Sequence, residues 1–268
     1  MVISYMTGMD ATPKRKTKTH WFCYNSAYYK VNRSGDEQDE VEEKKTREYM
    51  AKYMANYRAH RKGMSPDEVA DYYTNWAENK KYEQDLNPGT YNGPTIIADE
   101  MANCFPENRD KIKVMDIACG TGRVGEELAA FGFKNIDGLD PSEGMLKQCR
   151  KKDIYKKLFR EFCCDKMLPI DNGVYDSLVV AGGMGESHIP CTGILEMIRI
   201  VKPGGLILIV MRKEYLKYVG EYVDKLEPFF DKLVHENKIE MLDRREVTNY
   251  SFDRDGVLFK FKVIKNDI

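Results

Sequence analysis

Apolar residues beyond position 111 occur in short runs that alternate with amphipathic stretches. Such runs are typical of buried parallel strands, each followed by a helix that covers one face of the sheet. The pattern predicts strands over residues 113–118, 135–139, 159–164, 175–181 and 206–211. It also predicts helices over residues 124–131, 142–151, 191–201 and 216–233, the last one broken or kinked at Pro228.

The C-terminal part of the chain follows a different pattern. Two β-rich runs, residues 246–252 and 257–264, flank the sequence Asp253-Arg254-Asp255-Gly256. An Asp-Gly pair between two such runs favours a tight antiparallel hairpin. The sequence therefore predicts an α/β fold in which a parallel sheet is completed by an antiparallel pair of strands.

A helical segment precedes these strands. Ser65 is suited to cap a helix, Pro66 to occupy its first position and Glu68 to complete a capping box. We expect this helix to reach Ala77 and a second helix to cover residues 94–104. Residues 63–110 are accordingly predicted to form a helical lid, and residues 111–268 an α/β core.

The first 62 residues lack long apolar periodicity and carry more Lys and Arg than Asp and Glu. They contain a basic cluster at residues 13–18, an aromatic patch at residues 21–29 and a helical pattern over residues 41–61. We interpret residues 1–62 as a flexible, basic and charged extension that is partly helical. The basic cluster leaves open a nuclear-import or nucleic-acid patch.

Composition narrows the class of protein. The chain has 42 Lys and Arg against 43 Asp and Glu, which argues against a dedicated nucleic-acid binder. Its 7 cysteines are odd in number and spread along the chain, as expected for reduced intracellular thiols. No Cys-x-x-Cys occurs, so no metal site is expected, and residues 206–211 are too short a run for a membrane span. We therefore expect a cytoplasmic protein without membrane attachment, with the nucleus as an alternative location.

The sequence DIACGTGRVG at residues 116–125 follows the first predicted strand of the sheet. Gly120, Gly122 and Gly125 match the G-x-G-x-x-G fingerprint of dinucleotide-binding turns. Asp140, 20 residues after Gly120, ends the next predicted strand, where a carboxylate binds ribose hydroxyls. This fingerprint alone does not separate NAD from other adenosine ligands.

Two further sequence features help to separate NAD from other adenosine ligands. Asp116 stands four residues before the first glycine, where it suits a cationic amine better than a pyrophosphate. The motif Lys-Pro-Gly-Gly at residues 202–205 precedes the fifth predicted strand. Together with the lid and the hairpin, these motifs resemble the class I S-adenosyl-L-methionine (SAM)-dependent methyltransferases from residue 65 to the C-terminus.

A narrower resemblance concerns the lid. YTNWA at residues 73–77, YEQDL at 82–86, YNGP at 91–94 and IPC at 189–191 are similar to segments of the methyltransferase-like proteins of the Williams–Beuren syndrome critical region. The resemblance implies a Rossmann-like, doubly wound, seven-stranded sheet and SAM as cofactor. It offers no counterpart for the first 60 or so residues.

The resemblance also implies roles for individual residues. Gly120 and Gly122 would form the turn under the methionine part of SAM, Asp116 would lie near its amino group, and Asp140 would bind the ribose. Pro141 and Met145 would flank the adenine, Asp165 would meet the adenine amino group, and Ala181 would lie between cofactor and substrate. Tyr82 would cover the sulfonium or serve packing. The predicted cofactor-binding set is Tyr82, Asp116, Cys119, Gly120, Gly122, Asp140, Pro141, Met145, Asp165 and Ala181.

Methyl transfer needs a general base only when the nucleophile carries a proton. The candidates are Glu186 and His188 after the fourth strand, together with Tyr73, Tyr82 and Tyr91 of the lid. A histidine titrates near neutral pH and suits proton removal, although a loop histidine is often only exposed.

The methyl acceptor is expected to be a small molecule. The motif Asn-Pro-Pro-Tyr/Phe, which enzymes of this fold carry when they methylate bases or glutamine amides, is absent. A protein lysine is the lesser possibility, and a nucleic-acid acceptor is disfavoured. The alternatives that stay open are an NAD(P)-dependent oxidoreductase and a non-catalytic SAM-binding regulatory protein.

Overall fold

The computed structural model describes residues 18–24, 27–33 and 37–266. The chain divides into two compact units, Met1–Asn56 and Tyr57–Ile268. The sequence placed a boundary at residue 63, and the function assigned to each part stays a prediction.

The first unit contains a two-stranded antiparallel sheet. Strand β1 (Lys18–Tyr24) pairs with β2 (Ala27–Arg33), and helix α1 (Glu37–Ala59) follows. The helical pattern predicted α1, but the hairpin was not predicted, although aromatic residues such as those at 21–29 favour strands. Of the predicted basic cluster, residues 13–17 lie outside the described residues and Lys18 begins β1.

The second unit begins with a helical segment. Helices α2 (Pro66–Trp76) and α4 (Gly93–Cys104) are the predicted ones, whereas the short helix α3 (Lys81–Asp85) between them was not predicted. The capping box before α2 is confirmed, because the Ser65 hydroxyl accepts the Glu68 N–H at 3.2 Å and the Glu68 carboxylate accepts the Ser65 N–H at 2.8 Å.

A seven-stranded sheet forms the core of this unit. Its strands in chain order are β3 (Lys113–Ile117), β4 (Asn135–Leu139), β5 (Lys157–Phe159), β6 (Tyr175–Ala181), β7 (Val201–Arg212), β8 (Ile239–Ser251) and β9 (Arg254–Val263). The helices between them are α5 (Arg123–Ala130), α6 (Glu143–Arg150), α7 (Gly193–Ile200), α8 (Tyr215–Tyr218) and α9 (Leu226–His235).

The strand order is β5-β4-β3-β6-β7-β9-β8. Strands β3 to β7 pair in parallel, whereas β9 is antiparallel to both β7 and β8. The predicted fold class, a doubly wound, mostly parallel sheet with an antiparallel hairpin, is confirmed. The chain turns to opposite sides of β3, so the carboxyl ends of β3, β4 and β6 meet at the edge where such sheets bind ligands.

The third predicted strand was wrong in its extent. Residues 159–164 were expected to be extended, but β5 covers only Lys157–Phe159. Strand β4, its one neighbour, ends at Leu139 opposite Phe159 and offers no further partners. Cys163 is instead buried against α7, with its thiol 3.5 Å from the Gly193 carbonyl oxygen. Asp165 therefore lies six residues beyond the strand that was expected to present it.

The long helix predicted over residues 216–233 was also wrong. Two short helices, α8 and α9, are separated by residues 219–225. Pro228 lies in the first turn of α9, where a backbone N–H has no helical partner, so it neither breaks nor kinks the helix.

The hairpin is confirmed, but its turn lies elsewhere. Ser251 pairs with Arg254, and the turn residues Phe252 and Asp253 both have positive φ angles, of 50° and 56°. Gly256 belongs to β9, where an added Cβ would lie 2.9 Å from the Tyr250 side chain. This glycine serves close packing within the sheet, not the turn.

Arg199 of α7 fixes the segment that leads into β6. Arg199 is buried, with only 4% of its surface exposed. Its guanidinium pairs with the Glu196 carboxylate at 2.7 Å and donates hydrogen bonds to the carbonyl oxygens of Leu168 and Ile170, at 3.2 and 2.7 Å. Removing one partner of such a buried pair leaves an uncompensated charge and unpaired carbonyls.

We expect Arg199→Met to lower the free energy of unfolding by about 3 kcal/mol. Lys232→Met is the control, because Lys232 pairs with Glu236 at 3.7 Å in an exposed position and should cost less than about 0.5 kcal/mol. Urea denaturation measures both, and equal losses for the two variants would show that the buried pair does not anchor this segment.

Candidate active site

A cavity of about 770 Å³ opens at the carboxyl edge of β3, β4 and β6. Its floor contains the residues that follow these strands, and α2 contributes part of its wall. The side chains that line it include Tyr73, Tyr82, Asp140, Met145 and His188. The volume lies within the range of about 300–1,000 Å³ that is typical of small-molecule sites.

The glycine turn after β3 brings backbone to the cavity without side chains. Gly120 has a positive φ of 56°, and a Cβ added there would meet no atom within 4 Å. A ligand therefore has room to lie directly against the turn. Ala118 also has a positive φ, of 57°, which is unusual for a residue with a Cβ and typical of functional sites.

Asp140 connects this turn to the one that follows β4. One of its carboxylate oxygens accepts the Gly120 N–H at 2.9 Å and the other accepts the Ser142 N–H at 2.9 Å. Burial raises the pKa of Asp140 to about 6, although both N–H groups favour its charged form. Each oxygen keeps a lone pair, so the carboxylate retains the capacity to accept hydrogen bonds from a diol.

Asp116 lies fully buried at the base of the same turn. Its Oδ2 accepts a hydrogen bond from the Tyr155 hydroxyl at 2.6 Å, while Oδ1 has no hydrogen-bond partner among the described residues. Burial raises the pKa of Asp116 to about 7. The hydrogen bond from Tyr155 acts against this shift, and the negative charge of Asp140 adds to it. An unpartnered buried carboxylate oxygen is costly and favours a nearby cation or donor.

Tyr155 explains two glycines of the fingerprint, Gly122 and Gly125, and also Gly138 of β4. Its hydroxyl accepts the Gly125 N–H at 3.0 Å. A Cβ at Gly122, Gly125 or Gly138 would lie 3.0, 2.5 or 2.8 Å from its ring. Sequence reasoning missed this tyrosine, because nothing in the spacing distinguishes it from other residues after α6.

Most of the predicted site residues come together at the cavity. Those on its wall are Tyr82, Gly120, Asp140, Pro141, Met145, Asp165, Ala181, Glu186 and His188. Asp165 lies exposed at the rim. Asp116, Cys119 and Gly122 lie behind the turn, where Cys119 packs with Leu146 and Cys149, and their predicted contacts with a cofactor stay predictions.

The helical segment is tied to the core by hydrogen bonds. The Thr74 and Ser142 hydroxyls are 2.8 Å apart, and Thr74 Oγ1 accepts the Gly144 N–H at 3.3 Å. Arg123, directly after the glycine turn, donates to the carbonyl oxygens of Leu86 and Tyr91. The sequence marked the lid but not these attachments, which depend on contacts between residues distant in the chain.

The aromatic residues of the lid have distinct places. The Tyr73 hydroxyl lies 3.0 Å from His188 Nε2, and the Tyr73 and Tyr82 rings meet edge to face at 6.2 Å. The buried Tyr91 does not line the cavity but lies behind it, where a Cβ at Gly182 would fall 2.5 Å from its hydroxyl.

Comparison with known proteins identifies the class. A family model described as a methyltransferase domain matches residues 114–205. The TehB-like SAM-dependent methyltransferase from Corynebacterium glutamicum shares the fold, with a TM-score of 0.50, 15% identity and coverage of 72% of this chain and 98% of that chain. The chain belongs to the class I SAM-dependent methyltransferases, and SAM is its cofactor.

Two curated relatives show what this chain is similar to. Human methyltransferase-like protein 27 is 32% identical over 162 residues, which are 60% of this chain and 64% of that protein. A demethylmenaquinone methyltransferase from Desulfitobacterium hafniense is 30% identical over 172 residues, 56% of this chain and 68% of that protein. The match thus spans about two thirds of each relative's length.

The described residues also bear on membrane attachment and metal binding. Within those ranges, every helix falls short of the length and hydrophobicity that a membrane span requires. In the same ranges, no group of three or more His, Cys, Asp or Glu is arranged to hold a metal ion.

Asp140→Asn is expected to weaken SAM binding at least about 100-fold, because an amide nitrogen would face the N–H of Gly120 or Ser142. Asp176→Asn is a matched control, since Asp176 accepts the Lys113 N–H at 2.8 Å at the amino ends of the strands. Titration calorimetry with SAM measures both variants. Unchanged affinity in Asp140→Asn would refute this site assignment.

Asp116 should make the cofactor-free protein less stable as pH rises. An Asp in the unfolded chain titrates near pH 4 and the folded Asp116 at about 7, so the folded state holds a proton that the unfolded chain releases. The contribution of this proton to the free energy of unfolding is fully present below about pH 4 and is lost as the pH rises toward 7. The loss amounts to about 1.4 kcal/mol for each unit by which the two pKa values differ. Asp140 adds to this loss in the same direction.

Asp116→Asn should reduce this decline. Urea denaturation of the wild type and the variant at pH 5 and pH 7.5 measures the difference. An equally steep loss of stability in both proteins would mean that Asp116 does not titrate in this range.

Proposed function

We propose that this protein transfers a methyl group from SAM to a small molecule. The observation that carries the proposal is the cavity beneath α2. Its wall combines the turns after β3 and β4 with residues of α2, of the loop after β6 and of the segment between α8 and α9. A cofactor seated on the glycine turn leaves the remaining space to an acceptor of small size.

The residues present fit SAM. The Asp140 carboxylate would accept hydrogen bonds from the ribose hydroxyls, and Pro141 and Met145 would flank the adenine. The open face of Gly120 would lie under the methionine part, and the orphaned Oδ1 of Asp116 marks a place for positive charge nearby. Tyr73 and Tyr82 would turn aromatic surface toward the sulfonium, which such faces attract.

SAM supplies an activated methyl group whose leaving group is a neutral thioether. The protein's contribution is therefore to align the acceptor, exclude water and provide for any proton that the acceptor loses. α2 is part of the wall, held to the core through Thr74 and Ser142, and thereby shields the cavity from solvent. Glu186 and His188 lie on the wall beside α2 and stay the candidates for catalytic contact.

A small acceptor is favoured over a protein because α2 lies over the cavity. Val69 and Ala70, buried residues of this helix, line it together with Tyr73. A lysine side chain of a folded protein would have to pass this cover. The relatives named as demethylmenaquinone methyltransferases support the same reading, since their name gives a small molecule as acceptor.

The experiment has a binding and a turnover part. Titration calorimetry compares SAM, S-adenosylhomocysteine and NADH, and we expect micromolar binding of the first two and none of NADH. A screen for S-adenosylhomocysteine release then offers phenols, amines, thiols, carboxylates and a lysine-rich protein mixture, with Asp140→Asn as the matched inactive control. We expect turnover with a small molecule.

Each other outcome contradicts a defined part of the proposal. Methylation confined to the protein mixture would overturn the acceptor class. SAM binding without any product would indicate a non-catalytic SAM-binding protein, and binding of NADH without SAM would indicate an oxidoreductase.

A further inference from the structure

The loop after β6 is held in one arrangement from several sides. The Tyr222 hydroxyl accepts the Gly185 N–H at 2.9 Å and donates to the Ile189 carbonyl oxygen at 2.6 Å. Ser187 has a positive φ of 58°, and its hydroxyl donates to the Met64 carbonyl oxygen at 2.6 Å. Strain of this kind persists where the surroundings fix a conformation, and it is common at functional sites.

This loop fixes the orientation and tautomer of His188. Nδ1 lies 2.7 Å from the Glu186 carbonyl oxygen, which only accepts, so Nδ1 carries the hydrogen and Nε2 keeps its lone pair. The His60 ring stacks on the His188 ring with centroids 4.4 Å apart and an angle of 5°. A Cβ at Gly185 would lie 2.5 Å from the His60 ring, so a glycine leaves space for the stack.

The orientation of His188 determines that of the Tyr73 hydroxyl. Tyr73 Oη lies 3.0 Å from the unprotonated Nε2, so Tyr73 is the donor in this bond. Its oxygen therefore has lone pairs but no further hydrogen to offer. Because both residues line the cavity, the pair presents a hydrogen-bond acceptor to a ligand there.

We propose that the methyl acceptor is an aromatic hydroxyl compound, whose hydroxyl donates a hydrogen bond to Tyr73 and whose proton His188 receives through Tyr73. The proposal rests on the proposed function and specifies its acceptor. Tyr73 is the catalytic residue that contacts the acceptor, and His188 positions Tyr73 and acts through it. The aromatic rings of Tyr73 and Tyr82 on the cavity wall suit a flat aromatic acceptor.

The transfer conserves atoms and charge. The hydroxyl oxygen forms a bond to the methyl carbon while the carbon–sulfur bond breaks and its electron pair stays on sulfur. The hydroxyl proton passes to Tyr73 Oη, and the Tyr73 proton passes to His188 Nε2. The positive charge that was on the sulfonium is then on the imidazolium, which loses its proton to water once the products leave.

A weak base suffices for a hydroxyl acceptor. Burial lowers the pKa of His188 to about 4, and the groups that face it are His60, Tyr73 and the Glu186 backbone, with Tyr215 beyond His60. A methylated hydroxyl that still holds its proton is a far stronger acid than imidazolium, so His188 accepts that proton readily. An amine does not need this base, because it reacts as the neutral form and its methylated product keeps the proton.

The test compares matched acceptors in the full chain. 4-Methylphenol and naphthalen-2-ol are each paired with the corresponding amine, and product formation with SAM is measured by mass spectrometry. We expect the wild type to methylate the phenols. In Tyr73→Phe and His188→Gln we expect the ratio of phenol to amine turnover to fall about 100-fold, the scale of acid–base catalysis. Tyr72→Phe, a neighbouring tyrosine that does not line the cavity, should keep the wild-type ratio.

Two further measurements accompany the comparison of phenol and amine turnover. ¹⁵N NMR of histidine-labelled protein should show His188 protonated at Nδ1, and titration calorimetry should give SAM affinities within about threefold of wild type for all three variants. A merely structural link would lower phenol and amine turnover equally and leave their ratio unchanged, which would overturn the proposal. Absence of phenol turnover in the wild type while SAM binds would also overturn it, whereas absence of SAM binding would instead overturn the proposed function.

Discussion

The carboxylate of Asp140 is the contact on which the geometry of the site depends. It joins the turns that follow two adjacent strands by accepting one backbone N–H from each, those of Gly120 and Ser142. Charge-assisted hydrogen bonds to backbone groups fix position more firmly than neutral ones. The side chain therefore holds both turns at one separation while it remains available to a ligand, although burial makes its charge costly.

The packing behind the glycine turn explains why glycine recurs at the positions around it. Tyr155 fills the space between β3, α5 and β4, where glycines at 122, 125 and 138 leave room for its ring. Its hydroxyl links Asp116 to the N-terminal turn of α5. Part of the glycine pattern therefore records packing against a tyrosine, and of the three fingerprint glycines only Gly120 faces open space.

Much of the fold could be predicted because the spacing of apolar residues and the length of each apolar run distinguish the buried strands from the helices that cover them. The runs at 113–118 and 175–181 are mostly apolar because both faces of those strands are covered. The failures share a cause. Strand β5 ends where its neighbour β4 ends. The break between α8 and α9 places Tyr222 against residues 185–189. Both features depend on contacts between distant parts of the chain, which the local sequence does not encode.

The part of the site next to the glycine turn was predictable from the sequence, whereas the pairing of side chains from distant segments was not. Gly120 and Asp140 follow two adjacent parallel strands that one helix connects, so their spacing of 20 residues in the sequence carries the signal. Tyr73 and His188 are 115 residues apart, and their hydrogen bond follows from the position of α2 over the sheet. His60, Arg123 and Tyr155 were not singled out, since each acquires its role only through contacts made by the folded chain.

A crystal structure of the full chain with S-adenosylhomocysteine would show how a cofactor lies on the two turns that Asp140 joins. We expect the ribose hydroxyls within hydrogen-bond distance of the Asp140 carboxylate, the adenine beside Pro141 and Met145, and the thioether sulfur on the side of Tyr73 and Tyr82. A cofactor bound elsewhere, or bound at this edge with its ribose away from Asp140, would contradict this assignment of the site.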